Sequence, residues 1–96
     1  MHYYPATQDE INDFTANNPD WQEVSGHLVR LVTGASFADI IGFVVRIADV
    51  AEELDHHPDM DIRWGLLRVD LTTHSAGGLT NLDLALAQRI EDVCGV

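Results

Sequence analysis

The chain contains no lysine, and its five strongly basic residues are all arginines. Sixteen aspartates and glutamates stand against them, for a formal net charge of −11 over 96 residues. A surface this acidic repels phosphate backbones and anionic lipid, so neither nucleic acid nor a membrane surface is an expected partner. Cys94 is the one cysteine, which excludes an intrachain disulfide and suits a reducing compartment. Its position in a helical pattern reads as a small apolar side chain. No apolar run approaches the ~18 charge-free residues of a membrane-spanning helix. Met1–Pro5 lacks the basic-then-apolar pattern of a secretory leader, so the expected location is cytoplasmic. There is also no glycine-rich phosphate loop and no serine in a nucleophile elbow.

What is present is an apolar fraction of 46%, enough for one packed core in a single domain over residues 1–96, with 1–6 as an N-terminal arm. A domain of this size buries a modest share of its surface and gains from association with a second copy.

The order of elements follows from periodicity and punctuation. Thr7-Gln8-Asp9-Glu10 has the form of a capping box and opens a short helix with Ile11 and Phe14 on its apolar face, closed by Asn17-Asn18-Pro19-Asp20. Trp21–Val24 and His27–Thr33 read as strands joined by a turn at Ser25-Gly26. Arg30 falls on one face of the second strand, which suggests a sheet covered on one side only. Ser36 caps the longest helix, whose stripe is Phe37, Ile40, Ile41, Val44, Ile47, Ala51 and Leu54; Phe43 and Val50 lie off it. Pro58 disfavours helical geometry at His57, so this helix should stop near Asp55. Asp61–Trp64 is expected as a short strand, Gly65-Leu66 as a turn, and Leu67–Thr73 as a strand with Leu67, Val69 and Leu71 inward. Ser75–Gly78 is a loop, and Thr80-Asn81-Leu82-Asp83 caps a last helix over Asn81–Cys94, striped by Leu82, Leu86, Ile90 and Val93. The expected fold is α+β: a four-stranded antiparallel sheet with three helices packed on one face, in the order α-β-β-α-β-β-α.

Three of the five histidines fall between Glu52 and Asp83. Histidine titrates near neutrality, so such a cluster is where proton transfer or metal binding would be sought. Taken singly, each residue has a plain explanation. His57 suits a helix end, Asp83 the first turn of a helix, Glu52 a solvated helix face, and Trp64 a core position. His2 and His27 stand apart from the cluster. A His–His–His–Asp zinc site is the sharper rival, but adjacent histidines seldom ligate one ion and no i, i+4 pair is present, so no metal is expected.

The joint spacing resembles that of the pterin-4a-carbinolamine dehydratases. Glu52 is followed, after three residues, by His56-His57-Pro58; Trp64 comes after five residues more, His74 after nine and Asp83 after eight. Ser36-Phe37-Ala38-Asp39, Ala51-Glu52-Glu53-Leu54, Leu71-Thr72-Thr73-His74 and Gly78-Leu79-Thr80 fit as well, so the likeness runs from about Trp21 to Val93. Trp64 stands where relatives commonly have tyrosine, and Val32, Gly34, Val45, Met60 and Leu66 also depart from common choices.

The resemblance implies dehydration of a 4a-hydroxytetrahydropterin to the quinonoid dihydropterin, recycling a tetrahydrobiopterin-type cofactor. Water leaves if an acid protonates the C4a oxygen and a base takes a proton from a ring nitrogen, work that suits two imidazoles near neutral pH. It implies His56 and His74 as the acid–base pair, with His57 orienting substrate and Asp83 holding an imidazole in one tautomer. Glu52, Pro58, Trp64, Thr73 and Ser75 complete the expected substrate site, with no cofactor. The implied partners are the pterin itself, further copies in a homodimer or homotetramer, and a pterin-dependent aromatic amino-acid hydroxylase. The alternative is a non-catalytic module of the same fold that serves as a dimerisation cofactor or assembly helper.

Overall fold

In a computed structural model, which describes residues 2–94, the chain forms helix α1 (Gln8–Asn17), strands β1 (Trp21–Val24) and β2 (His27–Thr33), and helix α2 (Phe37–Leu54). Strands β3 (Asp59–Ile62) and β4 (Leu66–Leu71), a 3₁₀ turn at His74–Ala76 and helix α3 (Asn81–Cys94) follow. The strands form one antiparallel sheet in the order β1-β2-β4-β3. Element types and order are those expected; Met1 of the arm, and Gly95 and Val96, lie outside the described residues.

Local chemistry sets the boundaries. Thr7 Oγ1 accepts from the Glu10 amide at 3.1 Å, and Glu10 Oε1 accepts from the Thr7 amide at 2.9 Å, closing the capping box of α1. Ser36 Oγ accepts from the Asp39 amide to start α2. Ser25 and Gly26 both have positive φ, 50° and 81°, the type I′ geometry that matches hairpin twist between β1 and β2. Helix α2 ends at Asp55, which is left-handed at φ 50° and ψ 42°. The next amide, that of His56, then turns back to the Ala51 carbonyl at 3.1 Å.

The helices cover one face of the sheet. Leu28, Val32, Leu67, Val69 and Leu71 pack from the sheet against Ile11, Ile40, Ile47, Val50, Ala51, Leu86, Ala87 and Ile90. Phe14 meets Trp21 edge-on at 6.1 Å.

Several details differ from the sequence expectation. Arg30 faces the helices, not solvent. It is buried because its guanidinium meets Glu91 of α3, Nε at 2.9 Å from Oε1 and Nη2 at 3.3 Å from Oε2, while Trp21 Nε1 donates to the same carboxylate at 2.8 Å. The Arg30 hydrogen bond holds the Glu91 carboxyl below its usual range against the opposing effect of burial, and Trp21 adds to it. The same bond pushes the Arg30 guanidinium up. Strand β3 begins at Asp59, two residues before the expected start, because Asp59 pairs with Asp70 and Ile62 with Leu67. That register puts Trp64-Gly65, not Gly65-Leu66, in the turn, where Arg63 and Leu66 exchange backbone hydrogen bonds. On α2, Val50 is buried while Phe37 and Ile41 are 52% and 37% exposed, so the buried stripe is rotated from the expected one. Ser75 and Ala76 fall in the 3₁₀ turn, which closes at Gly77 with φ 72°.

Candidate active site

The end of α2, the segment after β4 and the start of α3 converge at one end of the sheet. Asp83 lies in the first turn of α3 and is fully buried. A buried carboxylate must be hydrogen-bonded on both oxygens to remain stable there, and this one is. Oδ1 lies 2.6 Å from His56 Nε2. Oδ2 accepts from the Thr73 hydroxyl at 2.7 Å and from the Thr80 amide at 2.9 Å. Thr73 and Thr80 are themselves buried, with hydroxyl oxygens 2.8 Å apart, and Thr80 Oγ1 accepts from the Leu82 amide at 3.2 Å. No buried side-chain nitrogen or oxygen among the described residues lacks a partner.

The two adjacent histidines diverge, as the left-handed turn at Asp55 allows. The His56 side chain, 12% exposed, reaches inward to Asp83. That of His57 turns outward and pairs through Nε2 with Glu52 Oε2 at 2.7 Å, both groups being more than half exposed. Glu52 sits one turn back on α2, so the pair spans the end of the helix. Pro58, half-buried, carries the chain from His57 into β3.

His74 opens the 3₁₀ turn directly after Thr73 and is exposed. Its backbone is fixed: Ala76 and Gly77 amides bond to the Thr73 and His74 carbonyls, and Thr73 and Gly78 exchange backbone hydrogen bonds. Ser75 Oγ is 2.8 Å from Tyr3 Oη. The arm lies alongside this turn, with Ala6 bonded to Leu79, Tyr4 to Asn81, and Pro5 bridged to Thr80.

Of the residues expected at the site, Glu52, His56, His57, Pro58, Thr73, His74, Ser75 and Asp83 therefore fall on the end of α2, the segment after β4 and the start of α3, with His56 and Thr73 joined directly to the Asp83 carboxylate. Trp64 does not join them. It is 78% exposed in the turn at the far end of the β3–β4 hairpin, a strand's length from the Asp59–Asp70 pair. Thr73 is buried against Asp83, a different place from an open substrate contact.

The sequence reading passed over three features here. Thr80 is visible in the sequence as a helix cap and in the Gly78-Leu79-Thr80 match, and neither signal shows its contact with Thr73. Nothing in the spacing tied Tyr3 to Ser75. His27 pairs through Nδ1 with Asp70 Oδ1 at 2.6 Å, and Arg68 bonds the other oxygen, on the uncovered face of the sheet. A concavity of about 430 Å³ opens on that face, lined by Gln22, Val24, Val29, Leu31 and Arg68, away from the histidine–Asp83 group. No group of three or more residues able to hold a metal ion occurs among the described residues.

Chemically, the arrangement offers one imidazole locked to a buried carboxylate, a second that is solvent-accessible, and a third paired with an exposed acid.

Comparison with known proteins finds relatives of the chain. A family model described as pterin 4 alpha carbinolamine dehydratase matches residues 4–93. A protein of Mycobacteroides abscessus, named "Putative pterin-4-alpha-carbinolamine dehydratase", is 48% identical over 89 residues, 93% of this chain and 95% of its own. One of the same name from Chloroflexus aggregans is 46% identical over 87 residues, 90% of this chain and 93% of its own. Among solved structures, a transcriptional coactivator/pterin dehydratase from Brucella melitensis matches with a TM-score of 0.88 and 31% identity, covering 96% of this chain and all of that one. A pterin dehydratase-like RuBisCO assembly factor of the alpha-carboxysome shares the fold, with a TM-score of 0.63 and 21% identity over 78% of this chain and 87% of its own.

Proposed function

The chain belongs to the pterin 4 alpha carbinolamine dehydratase family, and from that premise we propose that it removes water from a 4a-hydroxytetrahydropterin to give the quinonoid dihydropterin. The observation that carries this reading is the hydrogen bond of His56 to the buried Asp83 carboxylate, joined through Thr73 to the turn that presents His74.

In the reaction the C4a–O bond breaks, the oxygen leaves as water after protonation, and a ring N–H loses its proton as the C=N bond forms. His56 and His74 are the acid and base, each contributing roughly 10²–10⁴-fold. His57, held by Glu52, orients the pterin, and Ser75 lies on the approach to it. No cofactor enters the balance, since no electrons are exchanged with an outside group. The reaction recycles the cofactor of a pterin-dependent aromatic amino-acid hydroxylase, and cytoplasmic residence is part of this reading. A homodimer or homotetramer also belongs to it: β1 and β3 are unpaired sheet edges, and Phe37, Ile41 and Val45 are exposed along α2.

The test is the decay of freshly generated 4a-hydroxytetrahydropterin, followed by ultraviolet absorbance with and without the protein. Acceleration is expected. A folded sample that binds a dihydropterin without acceleration would reduce the site to a binding site. A sample that does neither would favour the second reading, a dimerisation cofactor or assembly helper. That reading is favoured by the Brucella melitensis structure, whose name joins coactivator and dehydratase.

A further inference from the structure

We propose that Thr73 and Thr80 are positioning residues: a one-way hydrogen-bond chain from the first turn of α3 occupies Oδ2 of the Asp83 carboxylate and leaves Oδ1 to fix neutral His56 as its Nε2–H tautomer. The inference rests on the dehydratase reading for its consequence in turnover, though not for its geometry.

The direction of each bond follows from what each atom can do. An ionised carboxylate only accepts. Thr73 therefore donates its proton to Asp83 Oδ2 at 2.7 Å, and the Thr80 amide donates to the same oxygen at 2.9 Å. Having spent its proton there, Thr73 Oγ1 accepts from the Thr80 hydroxyl at 2.8 Å. The Thr80 oxygen in turn accepts from the Leu82 amide at 3.2 Å. Both hydroxyl protons thus run toward Asp83, Thr80 to Thr73 and Thr73 to Oδ2. Among the described residues, Oδ1 then has one partner, His56 Nε2 at 2.6 Å, which must donate. The nitrogen left with a lone pair is Nδ1, and it is the atom that exchanges a proton with the pterin. Thr73 thus acts on the reaction through Asp83 and His56, not by touching substrate, while its own backbone carries His74. A carboxylate partner that fixes an imidazole tautomer is known to govern proton transfer elsewhere.

The experiment is nitrogen NMR of the imidazoles in ligand-free protein, combined with steady-state kinetics. In the unaltered chain, neutral His56 is expected as Nε2–H alone. Thr73→Val should give mixed tautomers and lower kcat by about tenfold or more with KM nearly unchanged, and Thr73→Ser should restore both. Three results overturn the proposal: an Nδ1–H tautomer in the unaltered protein, a Thr73→Val variant with unchanged tautomer and kcat, or one in which KM rises while kcat holds. If Thr73→Val does not fold, the first measurement and Thr73→Ser still decide. The tautomer is read without pterin, so its failure is distinct from failure of the dehydratase reading.

Discussion

His56 and His74 sit in opposite surroundings, one locked to a buried acid and one exposed, and the predicted consequences differ accordingly. His74→Ala removes no buried contact, so it should fold like the parent and lower turnover by ~10² or more; circular dichroism and steady-state kinetics check both. His56→Ala should lower turnover comparably and also cost stability, because it takes from the buried Asp83 Oδ1 its hydrogen bond to the imidazole. The histidines and Asp83 were legible in the sequence because their spacing was fixed. The roles of Thr73 and Thr80 were not, since the resemblance implies Thr73 as a substrate contact and a threonine before Asn-Leu-Asp reads as a cap. Only the fold brings those hydroxyls within 2.8 Å.

At the scale of elements, the close of α2 holds a conflict that a substitution can expose. Asp55 adopts the left-handed conformation that glycine occupies at little cost, and it adds a third acid to the last turn beside Glu52 and Glu53, against the helix dipole. Asp55→Gly should therefore stabilise the protein by about 1 kcal/mol, a Tm rise of roughly 4–8 °C, measured by thermal unfolding. A fall would mean that the acid makes a compensating contact. The stop of this helix was legible from Pro58, and its length from its cap. The start of β3 and the turn at Trp64-Gly65 were not, because a four-residue strand carries too few residues for alternation to fix its register. Pairing with β4 does so instead. Apolar character alone also misplaced Phe37 and Ile41 inside α2's buried stripe, since periodicity gives a face without saying how far the sheet extends beneath it.

For the molecule as a whole, the fold class was legible because two hairpins and three capped helices leave few ways to cover one sheet. Arg30 was the misleading residue: a charged side chain on a strand normally marks the solvent face, but here Glu91 and Trp21 satisfy it inside. This cluster joins β1, β2 and α3, so Glu91→Gln should cost roughly 2 kcal/mol at neutral pH. The folded-state carboxyl of Glu91 is depressed, so its contribution is full above the unfolded value of ~4.3 and is lost as pH falls through the folded value. The Tm gap between parent and variant should accordingly shrink below about pH 4; a gap that persists in acid would assign the effect to packing. With a net charge of −11, the chain should also gain thermal stability on adding salt, which screens its self-repulsion.

The most direct test of the account is the dehydration rate of 4a-hydroxytetrahydropterin with the parent protein and with a His56→Ala/His74→Ala double variant, each shown to be folded. The account predicts that the parent accelerates the reaction and the double variant returns it to the rate without protein. A double variant that keeps the parent's acceleration would contradict the assignment of acid and base to these two imidazoles.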